Sequence, residues 1–351
     1  MPAPRLIWDW GTAYDMFVSL MVLHEPAKYG LRGAWANGVR ARLPVSEREI
    51  LEQAGDLVWP FGWVHTLPDP KDGTMALRAL EQILPADRLP TLSFSPRTPA
   101  KSVEILQRVA ARGSWNEQDR VAFRDAYECA KSSPPQKETL TQVLEWWSRS
   151  HEFGERYLEA LRTYYEAFFA EEEMRIRPAL KRALARAQEL ATELELSALL
   201  EELSQGLRLA ELPQVSELVL APSFWSTPLL VFASVNAECE LILYGARPPD
   251  ASLVPGEVVP DALMRALKAL GHPTRLRILR YLAEGPQSPT QLSQRLRLRA
   301  PTVVHHLDTL RMAELVHLTL GAEDRRRYAA RPEAVKATFA ALEAFLENDE
   351  H

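Results

Sequence analysis

Thr302, His305, Asp308 and Thr309 recur at helical spacing and share one property, a short polar side chain that donates or accepts hydrogen bonds. Val303, Leu307 and Leu310 recur at i, i+4 and i+7 on the other side, the pattern of a buried stripe. A narrow polar face on such a helix can enter a DNA major groove, where base edges present donors, acceptors and the thymine methyl. The surrounding charge suits the same chemistry. Residues 271–331 hold eleven arginines (275, 277, 280, 295, 297, 299, 311, 325, 326, 327 and 331) against five acids (Glu284, Asp308, Glu314, Glu323 and Asp324), a net of six positive charges. The chain as a whole stands at −6, so everything outside this stretch carries −12. Arginine's planar fork matches phosphate and guanine, and the acidic remainder confines contact with DNA to this one module. His305, His306 and His317 look superficially like a metal site. Adjacent helical residues point about 100° apart, however, so no metal is expected; His305 is left for DNA and His306 for packing or capping.

The elements that hold this face are written locally. Ser288 can cap and Pro289 can open a first helix, with Leu292 and Leu296 on one side of it. After Leu298 and Arg299 the chain restarts with Pro301. Upstream, one helix ends at Gly271, a second opens at Pro273, and Gly285-Pro286 stops it. Downstream, Val316, Leu318 and Leu320 alternate like a half-buried strand, and residues 321–324 turn the chain back into 325–328. Helix, helix, helix-turn-helix and a two-stranded wing make a winged helix.

The run Ala-Leu-Gly-His-Pro-Thr-Arg-Leu-Arg-Ile-Leu at 269–279 and the run Pro-Thr-Val-Val-His-His-Leu at 301–307 resemble the ArsR-type winged-helix repressors, over residues 260–345. That resemblance implies a sequence-specific, DNA-binding transcriptional regulator, a repressor, acting as a homodimer on a palindromic operator. It places the dimer contact on two helices, one with Leu263, Ala266, Leu267 and Leu270, the other with Val335, Phe339, Leu342 and Phe345. Base edges would be met by Arg299, Thr302, Val304 and His305, and phosphates by Arg295, Arg297, Arg311, Arg325, Arg326 and Arg327. Two departures stand out. Arg299 and Ala300 occupy positions where the family usually has a small polar cap. Residues 290–295 lack cysteine and the last helix, 334–346, lacks histidine, so metal sensing does not carry over.

The rest of the chain is mainly α. With 351 residues, 46% of them hydrophobic and 25% charged, it has room for about two domains with real cores. Two distant cysteines, Cys129 and Cys239, argue for a reducing, cytoplasmic setting and against a disulfide framework. No targeting segment is evident, and the uncharged stretch 218–237 is too rich in Pro, Ser and Thr to cross a membrane. Helical spacing runs over 14–24, 32–43, 46–57, 74–84, 100–112, 116–130 and 137–149. A long helical segment follows at 151–204, with Pro178 expected to end or kink it. Strands at 217–220, 229–233 and 240–244, joined by turn residues, predict a small antiparallel sheet. The expected organisation is thus a helical N-terminal domain at 1–204, the sheet at 205–246 belonging to it, a proline-rich linker at 247–259, and the winged helix at 260–347. Residues 6–244 also resemble a helical domain of unassigned role that precedes the winged helix in some ArsR-like regulators.

All nine tryptophans precede the linker. They predict either a core filled with large rings or a pocket for a small apolar effector, with Trp59, Trp63, Trp146, Trp147 and Phe168 as its candidates. No nucleophile elbow, dinucleotide or phosphate loop, or His-Glu-x-x-His site is present, and 15 glycines leave little material for phosphate-cradling loops. Neither an enzyme nor a cofactor is therefore expected. The alternative to DNA binding is a protein-interaction module whose winged helix no longer reads DNA, for which Arg299, Ala300 and the acidic residues Glu323 and Asp324 speak.

Overall fold

The computed structural model describes residues 4–29, 33–129, 137–209, 212–248, 251, 259–321 and 325–347. It divides into two compact units, one of Met1–Pro178, Val215–Ala221 and Phe232–Ile242, the other of Ala179–Gln214, Pro222–Val231 and Leu243–His351.

In the first unit β1 (Arg5–Trp8) leads into α1 (Thr12–His24), followed by α2 (Gly33–Arg40), α3 (Val45–Ala54), α4 (Phe61–His65) and α5 (Gly73–Gln82). Then come α6 (Pro85–Ser93), α7 (Ala100–Arg112), α8 (Glu117–Cys129), α9 (Lys137–Ser148) and α10 (Ser150–Tyr164). Every residue of α1 from Thr12 to Leu20 is buried, Thr12, Asp15 and Ser19 included, because large apolar residues fall on all sides of the helix. Its entry is fixed by Asp9, whose Oδ2 accepts from the Tyr14 hydroxyl at 2.7 Å, His65 Nδ1 at 2.6 Å and Lys71 Nζ at 2.6 Å. Burial pushes that carboxyl up, but the three donors and the Lys71 charge outweigh it and hold the group below its usual range.

Helix α10 packs on α6 and α3 and encloses Phe153, Leu161 and Tyr164. The α6–α10 contact requires a glycine, because a Cβ at Gly154 would lie 1.9 Å from the Pro85 carbonyl oxygen. Buried Arg88 secures the same contact by donating to the carbonyls of Leu80 and Gly154, each at 2.9 Å.

Two features of this region depart from expectation. The long helical segment widens into a π-helical turn at Tyr165–Phe169 and is interrupted only after Glu193, and α11 (Ala170–Glu193) runs on through Pro178. Proline forfeits one helical bond there, and burial of Ile176 and Leu180 on either side outweighs that loss. The sheet of β1, β3 (Glu217–Ser223), β4 (Val231–Asn236) and β5 (Cys239–Gly245) has the order β1-β3-β5-β4 and is mostly parallel, not antiparallel. The spacing of 217–244 reveals only local turns. It cannot show that Arg5 pairs with Glu217, 212 residues away, to begin a parallel ladder.

The second unit contains α12 (Leu196–Leu203), β2 (Leu207–Leu209) and the winged helix: α13 (Asp261–Leu270), α14 (Pro273–Ala283), α15 (Pro289–Leu296), α16 (Ala300–Met312), β6 (Val316–Gly321), β7 (Arg325–Ala330) and α17 (Pro332–Glu347). Ile278, Leu282, Leu292, Leu296, Val303, Leu307, Leu310, Leu315 and Tyr328 form its core, the stripe expected on α16 among them. Strands β6 and β7 pair antiparallel as the wing. A third strand was not expected: β2 pairs parallel to β6, Leu207 opposite Leu318 and Leu209 opposite Leu320. Residues 207–209 therefore join the wing instead of the sheet to which 205–246 was assigned. Most of the expected linker, 247–259, lies outside the described residues.

Candidate nucleic-acid interface

Local chemistry sets the angle of the helix-turn-helix. Ser288 Oγ accepts from the Gln291 amide at 3.2 Å while Gln291 Oε1 accepts from the Ser288 amide at 2.8 Å, a reciprocal cap with Pro289 at the first helical position. Helix α15 ends on Arg297 in the left-handed region, φ 55°, a conformation costing a residue with a Cβ about 1 kcal/mol. The Leu298 amide closes the turn on the Ser293 carbonyl at 3.1 Å, and α16 starts from Arg299 with no side-chain cap.

On α16, Val303, His306, Leu307 and Leu310 face inward; Arg299, Thr302, His305 and Asp308 are exposed and Val304 is half-buried. Of the expected base-edge set, Arg299, Thr302 and His305 are thus accessible, whereas Val304, about 200° around the helix from Thr302, does not share their face. Thr309 contributes less than its spacing promised, for its hydroxyl donates back to the His305 carbonyl at 2.9 Å. Partial burial raises the Asp308 carboxyl above the usual range, while Arg326 and His305 act the other way. His306 packs, its ring 4.8 Å from that of His272, and burial with the neighbouring His272 and Arg275 keeps it neutral.

Of the phosphate candidates, Arg297 is exposed at the turn and Arg326 and Arg327 are exposed on β7. Arg295 is exposed beneath a local hold, its guanidinium 4.2 Å from the Tyr281 ring centre and 2.7 Å from Glu284. The side chain of Arg325 lies outside the described residues. Arg311 is corrected: it is only 6% exposed and donates to the carbonyls of Ser204 at 2.8 Å and Gln205 at 3.3 Å. Burial pulls its pKa down to about 10, leaving it charged at neutral pH. Four residues after Leu307, it stands at the edge of the apolar stripe, and that spacing is the signal sequence reasoning missed.

The same seam holds other groups that spacing did not reveal. Arg331 Nη1 donates to the Gln205 carbonyl at 2.7 Å and the Glu314 carbonyl at 3.1 Å, and the Leu318 amide reaches the Gly206 carbonyl at 3.0 Å. His317 sits 3.3 Å from Glu201 and 3.6 Å from Glu333; burial, Arg208 and Arg331 lower its pKa. The wing is therefore pinned to α12 and β2 by backbone pairing and buried cations.

Among the expected dimer residues, Leu263 is buried, Leu267 and Leu342 are half-buried, and Leu270 and Val335 pack against the winged-helix core. Phe339 is 51% exposed. The effector candidates do not share a wall. Trp147 and Phe168 are packed in the core, and Trp59 is 43% exposed with its indole N–H donating to the Phe232 carbonyl. Trp63 meets Phe17 edge-on at 6.4 Å. Trp146 lines a polar groove with Glu49, Gln53, Arg149 and Arg156, two of whose guanidiniums lie 4.9 and 5.4 Å from its ring.

A helix-turn-helix with an inward apolar stripe, an outward polar face and a β-ribbon wing defines a winged-helix DNA-reading module. Residues 272–317 match the family described as bacterial regulatory protein, arsR family. The chain carries an ArsR-family helix-turn-helix domain near its C-terminus, after a large, mostly helical region, and that domain points to a DNA-binding transcriptional regulator. No curated protein and no solved structure matches the chain. Among the described residues, no helix is long and apolar enough to cross a membrane.

Proposed function

We propose that the chain is a sequence-specific repressor that binds an imperfect palindrome as a homodimer and does not sense metal. The observation that carries this reading is the shared exposure of Arg299, Thr302 and His305 on one face of α16, flanked by Arg297 on the turn and Arg326 and Arg327 on the wing. Base-edge contacts specify and phosphate contacts position, and this surface offers both kinds of group.

A groove between α13 and α17 supports self-association. Its volume is about 650 Å³, and Leu263, Ala266, Ala337, Ala341, Ala344 and Phe345 line it. Small residues there let a second helix approach closely, while Leu346, 71% exposed and next in sequence to Phe345, gains by being covered. Arg265 lines the same groove, and its Nε and Nη1 are buried without a hydrogen-bond partner among the described residues. A carboxylate or carbonyl from a second copy would satisfy them.

The test is selection of duplexes by the full chain from a random-sequence pool at low salt. An enriched palindrome with half-sites about 34 Å apart is expected. The double substitution Thr302→Ala with His305→Ala should cost at least about tenfold more on the selected site than on random duplex. Equal losses would remove these residues from the base-edge set. No enrichment at all would favour the protein-interaction reading.

A further inference from the structure

We infer that the first unit holds a binding site for a small, uncharged, ring-bearing alcohol, in the cavity between α1, α3 and α10. The cavity measures about 290 Å³, the volume of about ten liquid waters. Phe17, Leu20, Leu51, Ala54 and Phe61 line it, all buried. Besides the exposed Glu25, Glu52 and Asp56, two polar side chains interrupt this lining. His24 has both ring nitrogens buried with no hydrogen-bond partner among the described residues. Tyr157, 2% exposed, lines the same cavity and brings a phenol to it. Buried polar groups are nearly always satisfied, so an orphaned imidazole beside a phenol on one cavity indicates a group that arrives from outside.

The chemistry of that group follows from the lining. Burial keeps His24 neutral, so it offers one donor and one acceptor, as does the Tyr157 hydroxyl. A ligand hydroxyl, itself donor and acceptor, complements both. Exposed Glu25, Glu52 and Asp56 also line the cavity and disfavour an anion. No carboxylate lies among the buried residues that line it, so a cation finds no counter-charge within. The aromatic rings of Phe17, Phe61 and Tyr157 favour a flat, ring-shaped body.

The site stands on the geometry of the first unit and not on the DNA-binding reading, and its occupancy is measured without DNA. Calorimetric titration of the full chain at neutral pH with 4-methylphenol, toluene and 4-methylbenzoate tests it. Saturable binding of 4-methylphenol is expected, with toluene at least about tenfold weaker and 4-methylbenzoate not detectably bound. His24→Leu should bring 4-methylphenol down to the toluene level, and Tyr157→Phe should weaken it without touching toluene. Ala54→Phe, filling the cavity, should abolish both, with circular dichroism verifying each variant's fold. Absence of saturable 4-methylphenol binding to the unaltered chain, or equal affinity in His24→Leu and Tyr157→Phe, overturns the proposal.

Discussion

Acidification supplies a sharp physical test of the first unit, through His24. Burial lowers the pKa of this imidazole from 6.5 to about 4, with Arg40 acting in the same direction and Glu52 and Glu25 opposing. Between those two values the unfolded chain binds a proton that the folded chain refuses. The contribution of His24 to stability is therefore complete above pH 6.5 and is lost as the pH falls through 6.5 towards 4. A shift of 2.5 units corresponds to about 3 kcal/mol, since each unit is worth about 1.4. Carboxylates elsewhere titrate in the same window, so the informative quantity is a difference. Urea unfolding of the chain and of His24→Leu, followed by tryptophan fluorescence at pH 7.5 and pH 4, isolates it, because eight of the nine tryptophans belong to the first unit. Whatever His24→Leu does at pH 7.5, the variant should gain on the original chain by about 3 kcal/mol at pH 4. Parallel losses in the two proteins would show that His24 is solvated or partnered in the fold, and would refute the enclosure argued from the geometry.

Three further outcomes are expected. Arg326→Ala should weaken binding to cognate and random duplex alike and reduce the slope of log affinity against log salt by about 0.9, measured by fluorescence anisotropy. Arg311→Ala should leave that slope unchanged while speeding hydrogen exchange at the Leu318 amide, which bonds to Gly206 across the β2–β6 seam; a lowered slope would return Arg311 to the phosphate set. Gly154→Ala should destabilise the first unit by about 2 kcal/mol or more in urea unfolding, since the added methyl meets the Pro85 backbone, which has no rotamer to yield; an unchanged midpoint would mean that α6 and α10 lie further apart.

What could be read from the chain depended on how far apart in sequence the cooperating residues lie. The Ser288–Gln291 cap, the prolines at helix starts and the Val303-Leu307-Leu310 stripe act within a few residues, so the helix-turn-helix was fully written in its own segment. The parallel sheet was not, because Arg5–Trp8 has no feature marking it as the partner of β3. Strand β2 is three residues long, too short for any periodicity, and its pairing with β6 crosses more than a hundred positions. Arg311 failed for a subtler reason. Charge argued for solvent, angle argued for the interior, and the carbonyls of Ser204 and Gln205 let angle prevail. In the first half, aromatic abundance signalled a large core but misdirected the search for a cavity: the cavity is lined by His24, Phe17, Phe61 and Tyr157 and by none of the indoles.

The parallel pairing of Leu207–Leu209 with Leu318–Leu320 bears on how this molecule can be dissected. A truncation that begins at residue 260, where the family resemblance would place the cut, removes the strand that shields one margin of the ribbon and bares the main-chain groups of β6. Such margins zip onto other chains, so the excised piece should tend to cluster for a reason unrelated to its own sequence. A truncation that begins before Leu196 keeps the cover in place. In this architecture the shortest piece that keeps the ribbon's cover is longer than the helix-turn-helix itself.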